Sequence, residues 1–181
     1  MTLADSPLIV CVDVDYRNEG AVAAALWFRG WSATDAEFSA TALFAEVAEY
    51  EPGSLYRREL PCLVGVLALG PKADIVIIDG YVWLANDEPG LGAHLHREYG
   101  GVVIGVAKTK FASATDAVAI CRGTSRAPLF TSAVGMTAAE AATKVIEMDG
   151  PYRIPTLLKQ VDTLARSTSL ATTGAPAVTT P

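Results

Sequence analysis

Cysteine is scarce in this 181-residue chain: Cys11, Cys62 and Cys121 are odd in number, far apart, and each set in an apolar run such as Ile9-Val10-Cys11-Val12. Such spacing offers no Cys-x-x-Cys pair. It excludes a disulfide framework and a thiolate zinc site, and predicts three buried free thiols in a reducing compartment. Histidine is scarcer still, with only His94 and His96. One residue apart on an expected helix, they diverge by about 200° around its axis; this excludes a paired metal site on one face and leaves them structural or surface roles. No apolar run reaches the roughly 20 residues of a membrane span. The start, Met1-Thr2-Leu3-Ala4-Asp5-Ser6, has no basic flank of a signal peptide, so a cytoplasmic protein with no membrane partner is expected. A glycine-rich phosphate loop and a Gly-x-Ser-x-Gly elbow are also missing, which leaves nucleotide-dependent and serine-hydrolase chemistry without support.

Net positive charge is absent too: 14 Lys and Arg stand against 20 Asp and Glu, a formal charge of −6. That excludes a histone-like basic binder, and a hydrophobic content of 51% excludes a disordered chain. The balance is uneven, with 6 basic and 15 acidic residues in 1–100 but 8 and 5 in 101–166. A polyanion would meet mainly the second half, although on charge alone an ordinary solvated surface with a chance imbalance is the favoured reading.

What is present reads as one α/β domain over residues 1–166. Residues 7–16 form an almost continuous apolar run that turns acidic at Asp13 and Asp15, as a central strand ending in carboxylates does. A turn at Asn18-Glu19-Gly20, a second apolar run over 21–29 and an alternating segment over 37–47 predict a three-strand antiparallel meander. After Tyr50-Glu51-Pro52-Gly53, apolar residues recur at helical spacing from Leu55 to Leu67, with Glu59 near the start. Residues 74–79 make a short buried strand closing in Asp79-Gly80, the carboxyl-edge position where ligands bind in such sheets. A loop over 81–90, a short helix over 91–99 and a strand over 101–106 leading to Lys108 imply two crossover units. A small hairpin over 117–130, a helix over 137–148 capped by Thr137 and Glu140, and a last helix over 156–166 complete the domain. Residues 167–181 carry no charge and no apolar periodicity, and a disordered tail is expected there.

Three acids at element ends stand out: Asp13, Glu59 and Asp79. If the first and fourth strands are neighbours, Asp13 and Asp79 converge, and their repulsion would raise one pKa unless a cation neutralised them. Oxygen ligands of this kind suit Mg²⁺ or Mn²⁺, which can activate a water for attack on phosphorus. Taken singly each acid is weak evidence, since a helix cap or a solvated group is the commoner fate of one acid at a loop junction. Asp15 competes with Asp13, because alternate residues of a strand share a face. Lys108 could reach the same edge to neutralise a phosphate, or could be an ordinary exposed lysine.

Taken together these motifs resemble the endonuclease V family, the deoxyinosine 3′ endonucleases, over about residues 8–166. Val12-Asp13-Val14-Asp15-Tyr16 is similar to the family's first-strand motif, and Tyr50-Glu51-Pro52-Gly53-Ser54-Leu55-Tyr56-Arg57-Arg58-Glu59-Leu60-Pro61 to its Tyr-x-Pro-Gly-x-Leu-x-x-Arg-Glu segment. Ile78-Asp79-Gly80 resembles the Val-Asp-Gly motif, and residues 90–94 and 104–108 the blocks that follow. The resemblance implies a ribonuclease H-like mixed sheet flanked by helices. It also implies an Mg²⁺-dependent endonuclease, with Mn²⁺ as substitute, that hydrolyses the second phosphodiester bond 3′ to deoxyinosine in DNA and leaves a 5′-phosphate, with inosine in RNA as the alternative substrate. By the same resemblance Asp13, Glu59 and Asp79 hold metal and Lys108 lies near the scissile phosphate. Tyr50 wedges into the duplex beside the Pro52-Gly53 turn, replacing some of the stacking lost when a base is extruded. Gly53, Leu55, Gly80, Leu91 and Gly105 line the pocket for the flipped base, and the protein acts as a monomer.

The chain departs from the family pattern in places. Ala85 stands where the family has a histidine beside the base pocket, and Ser132-Ala133-Val134-Gly135 shortens a Ser-Pro-Gly-His-like segment. Asp162 falls where the family places a histidine or aspartate near the metal, which implies a fourth active-site residue; as a residue it equally fits a surface acid on an amphipathic helix. Two other readings stand beside the first: a relative that binds nucleic acid with little or no turnover, and a nuclease of the same fold with another structured substrate.

Overall fold

A computed structural model describes residues 6–45, 47, 55–111, 114, 116–169 and 177–179. The three expected meander strands are β1 (Leu8–Arg17), β2 (Gly20–Arg29) and β3 (Phe38–Phe44), paired antiparallel in sequence order. Helix α1 (Leu55–Leu67) leads to β4 (Ile75–Asp79), and α2 (Leu91–Tyr99) to β5 (Val102–Ala107). Strands β1, β4 and β5 run parallel, so the two crossovers inferred from the sequence are present. Strands β6 (Val118–Ile120) and β7 (Leu129–Val134) form the hairpin, followed by α3 (Ala138–Glu147) and α4 (Thr156–Ser167). The sheet order is β6-β7-β5-β4-β1-β2-β3, extended by β8 (Ala177–Thr179) on the free edge of β3. Three residues of the expected tail thus pair antiparallel with Ser39–Thr41. Edge addition uses backbone groups, which need no side-chain pattern.

Both faces of the sheet are covered, which explains why the first half of β1, Leu8 to Val12, reads as an unbroken apolar run rather than an alternation. Val10, Val12 and Ile78 pack with Cys62, Leu63 and Leu95 on the α1/α2 side. Ile9, Cys11, Ile77 and Ile104 pack with Val145, Leu157 and Val161 on the α3/α4 side. The alanines of β2 (Ala21, Ala23, Ala24 and Ala25) are fully buried, and α1 and α4 both lie against that strand. Helix α3 begins with the expected capping box: Glu140 N donates to Thr137 Oγ1, and Thr137 N to the Glu140 carboxylate.

One expectation about the cysteines is corrected. Cys11 and Cys62 are buried, but Cys121 is exposed. Its apolar context belongs to a three-residue strand at the sheet edge, and Cys121 lies just past its end.

Candidate active site

Strand register builds the site. Val12 pairs with Ile78 as the last partners between β1 and β4, so Asp13 and Asp79 follow side by side. Asp79 pairs in turn with Val106 of β5, two residues before Lys108. Alternation puts Asp13 in phase with Ile9 and Cys11, Asp79 with Ile75 and Ile77, and Lys108 with Ile104 and Val106, all of which pack on the α3/α4 side. Asp162 joins them from α4, and Glu59 enters from the first half of α1. Asp13, Asp15, Glu59, Asp79, Gly80, Lys108, Asp162 and Arg166 line one open pocket of ≈ 350 Å³.

Electrostatics there is dominated by crowded carboxylates. Burial, then the charge of Asp79, push the Asp13 carboxyl up to about 6, although its Oδ1 accepts a 3.0 Å hydrogen bond from Val14 N. Burial, then Asp13 and Asp79, push Glu59 up to about 7. Lys108 Nζ donates to Asp79 Oδ2 at 2.6 Å. Partial burial opposes the Lys108 charge, but the bond to Asp79 and the nearby Asp13 and Asp162 outweigh it and raise its pKa. Asp162 differs from Asp13 and Glu59. Burial alone would raise it, yet Arg166 and Lys159 hold it below the usual range. The Asp13/Asp15 ambiguity also resolves into two environments, since Asp15 Oδ2 accepts from Arg17 Nε at 2.8 Å while Asp13 faces the other acids.

The surrounding contacts hold these groups in place. Arg58 lies over the Tyr16 ring, 3.9 Å from its centroid, tying the start of α1 to β1 next to Glu59. Beyond Asp79, Val82 N donates to the buried Ser132 Oγ at 3.0 Å, and Tyr81 Oη donates to Thr109 O while accepting from Phe111 N. Arg153 Nη2 donates to the carbonyl of Lys108. Gly80 has φ +129°, a conformation other residues rarely adopt. Gly105 is buried beneath it, where a Cβ would meet Gly80 O at 2.4 Å and Ser132 Oγ at 2.8 Å. Leu91 is buried at the start of α2, and Ala85 opens a 3₁₀ turn over Ala85–Asp87. The two histidines diverge as expected: His94 stacks on Tyr56 at 3.7 Å, while His96 Nδ1 meets Gly101 O at 2.7 Å. Tyr50, Pro52 and Gly53 lie outside the described residues, as does the side chain of Leu55.

The donor set is chemically suited to a hard divalent cation: carboxylate oxygens whose mutual repulsion favours protonation until a positive charge offsets it. Among the described residues no three such groups are already gathered around one ion-sized point; Lys108 supplies the charge next to Asp79. Sequence reasoning missed Arg166. Its position four residues after Asp162 on a helix was the readable signal, since such pairs share a face.

A mixed sheet with parallel β1, β4 and β5 at its centre, acids at the ends of β1 and β4 and helices on both faces is a ribonuclease H-like α/β fold. Solved structures share it. An endonuclease V from Streptomyces avermitilis is 27% identical, with 90% of this chain and 84% of that one covered and a TM-score of 0.72. A Ciona intestinalis endonuclease V variant in complex with a 23mer DNA containing an inosine followed by a ribo-adenosine is 18% identical, with coverage of 92% and 86% and a TM-score of 0.75. The catalytic domain of human endonuclease V is 20% identical, with coverage of 90% and 82% and a TM-score of 0.73. A search of curated proteins finds no match. The family model described as Endonuclease V matches residues 2–146, and the chain belongs to the endonuclease V family. Helix α4, with Asp162 and Arg166, lies beyond the matched residues. Among the described residues no helix is long and apolar enough to cross a membrane.

Proposed function

We propose that this protein is a cytoplasmic, monomeric, divalent-metal-dependent endonuclease that recognises deoxyinosine in DNA and hydrolyses the second phosphodiester bond 3′ to it. The observation that carries the reading is the pocket into which β1, α1 and β4 bring Asp13, Glu59 and Asp79 beside Lys108. Two of those acids have raised pKa values through burial and mutual repulsion. Family membership and the inosine-containing DNA held by the Ciona intestinalis protein support the choice of substrate.

Asp13, Glu59 and Asp79 are the residues that would hold Mg²⁺ or Mn²⁺. Such an ion, when bound, supplies positive charge to a phosphate oxygen and lowers the pKa of a water. The chain's own groups do the rest. The Asp13 and Glu59 carboxylates accept hydrogen bonds from the attacking water and orient it, and Lys108 Nζ donates to a phosphate oxygen as charge builds there. Tyr50 is the wedge, next to the Pro52-Gly53 step in the sequence. Gly53, Leu55, Gly80, Leu91 and Gly105 form the base pocket, in which Gly105 acts from beneath by letting the Gly80 carbonyl approach. Products are a 3′-hydroxyl and a 5′-phosphate.

The test is cleavage of labelled inosine-containing duplex DNA and its RNA counterpart, with Mg²⁺, Mn²⁺ or EDTA, by wild type and Asp79→Ala. Metal-dependent cutting lost in the variant is expected. Uncut inosine strands with a metal-sensitive gel shift would favour a binding protein, and cutting of branched or undamaged strands instead would favour another nuclease substrate.

A further inference from the structure

Helix α4 brings a second cation to the pocket wall. Arg166 Nε donates to Asp162 Oδ1 at 2.9 Å, while Asp162 Oδ2 faces Lys159 Nζ at 3.5 Å. The Arg166 side chain is 68% exposed, and among the described residues its two terminal amino groups have no partner. The backbone at this point is pinned. Arg17 Nη2 donates to the carbonyls of Ala165 and Arg166, both at 2.9 Å, and Arg17 Nε donates to Asp15 Oδ2. Asp15 and Arg17 sit two and four residues after Asp13 on the same strand, so β1 fixes both Asp13 and the end of α4 that bears Arg166.

A nucleic-acid strand crossing this pocket must bring phosphates towards Asp13, Glu59 and Asp79, and repulsion has to be offset. Lys108, bonded to Asp79, serves the phosphate at the reacting centre and offsets only part of that repulsion. Arg166 is different: one edge of its guanidinium is held by Asp162, and the remaining donors form an open fork that matches the two non-bridging oxygens of a phosphodiester. We propose that Arg166 binds a backbone phosphate of the substrate strand on the α4 side of the pocket. Asp162 is then also a positioning residue that aims Arg166, in addition to the place near the metal that the family resemblance implies for it. Both of its oxygens already face cations, and α4 orients the pair at the i, i+4 spacing. The inference rests on the nuclease reading above.

The test measures binding of a labelled inosine-containing DNA strand to the full chain by fluorescence anisotropy in EDTA across a NaCl series. Arg166→Ala should bind on the order of tenfold more weakly. It should also flatten the plot of log affinity against log salt by roughly 0.7–0.9, the value of one phosphate contact. Arg166→Lys should keep the wild-type salt slope but recover only part of the affinity, because charge remains and the fork is lost. Asp162→Asn should weaken binding in the wild-type background and have no further effect in Arg166→Ala. With Mg²⁺ present, Arg166→Ala should raise KM more than it lowers kcat. Lys144→Ala, on α3 away from the pocket, should bind as wild type does. Wild-type affinity and salt slope in Arg166→Ala would overturn the assignment while leaving the nuclease reading intact if wild type cuts inosine strands. An equal loss from Asp162→Asn in both backgrounds would overturn the positioning role. Wild type that neither binds nor cuts inosine strands would overturn both the assignment and the reading beneath it.

Discussion

Replacing Asp13 by asparagine should stabilise the metal-free protein at neutral pH. Burial and the facing Asp79 raise the Asp13 carboxyl from 3.8 to about 6. The folded state therefore keeps a proton that the unfolded chain has already released, and stability falls as pH rises between those values. At about 1.36 kcal/mol per pKa unit the full penalty above pH 6 is about 3 kcal/mol. Solvent screening at this open pocket reduces it, so a gain of about 1–2 kcal/mol is the working expectation. Asparagine is nearly isosteric and keeps the oxygen that accepts from Val14 N, and its new amide donors face the Glu59 and Asp79 carboxylates, so no orphan donor offsets the gain. For a domain of this size about 1 kcal/mol moves Tm by roughly 2–4 °C. Thermal denaturation in EDTA from pH 4 to pH 8 should show the variant above wild type at pH 7.5, with the gap closing towards pH 4. A variant equal to or below wild type at pH 7.5, or a gap that ignores pH, would refute the idea that the site is held together against its own repulsion.

Two further outcomes follow from the geometry. One thiol, that of the exposed Cys121, should react rapidly with a disulfide reagent in the native state, and the buried Cys11 and Cys62 only on unfolding; fast modification of all three in native protein would contradict the core described. Thr137→Ala removes the hydroxyl to which Glu140 N donates and should cost about 1 kcal/mol by urea denaturation, whereas an unchanged midpoint would mean that the capping box contributes nothing.

The strands and helices were readable because hydrophobic runs and turn residues agree with one another: Asn18-Glu19-Gly20 separates two largely apolar strands, and Thr137 and Glu140 announce α3. The site was readable as three acids, but not as a choice between Asp13 and Asp15, because a period of two places both on one face. The family resemblance favours Asp13, and in the structure the Arg17 bond to Asp15 and the carboxylates facing Asp13 separate the two. Burial of Cys121 was misread because an apolar run carries no sign of lying at a sheet edge. Arg122 is the reverse case: a basic residue only 5% exposed, whose guanidinium donates to several carbonyls between Met148 and Arg153. No local pattern signals such a long-range partner. The part of the Tyr50–Leu55 segment that carries the most diagnostic resemblance, Tyr50 to Gly53, falls outside the described residues, so its role rests on sequence.

The most direct test of the central claim is mapping the cut on an end-labelled duplex with one deoxyinosine, beside the same duplex carrying adenine there, with Mg²⁺ and wild type or Asp13→Asn. The account predicts one nick at the second phosphodiester 3′ to the inosine, none in the adenine control, and none with the variant. Equal nicking of both duplexes, or undiminished nicking by Asp13→Asn, would contradict it.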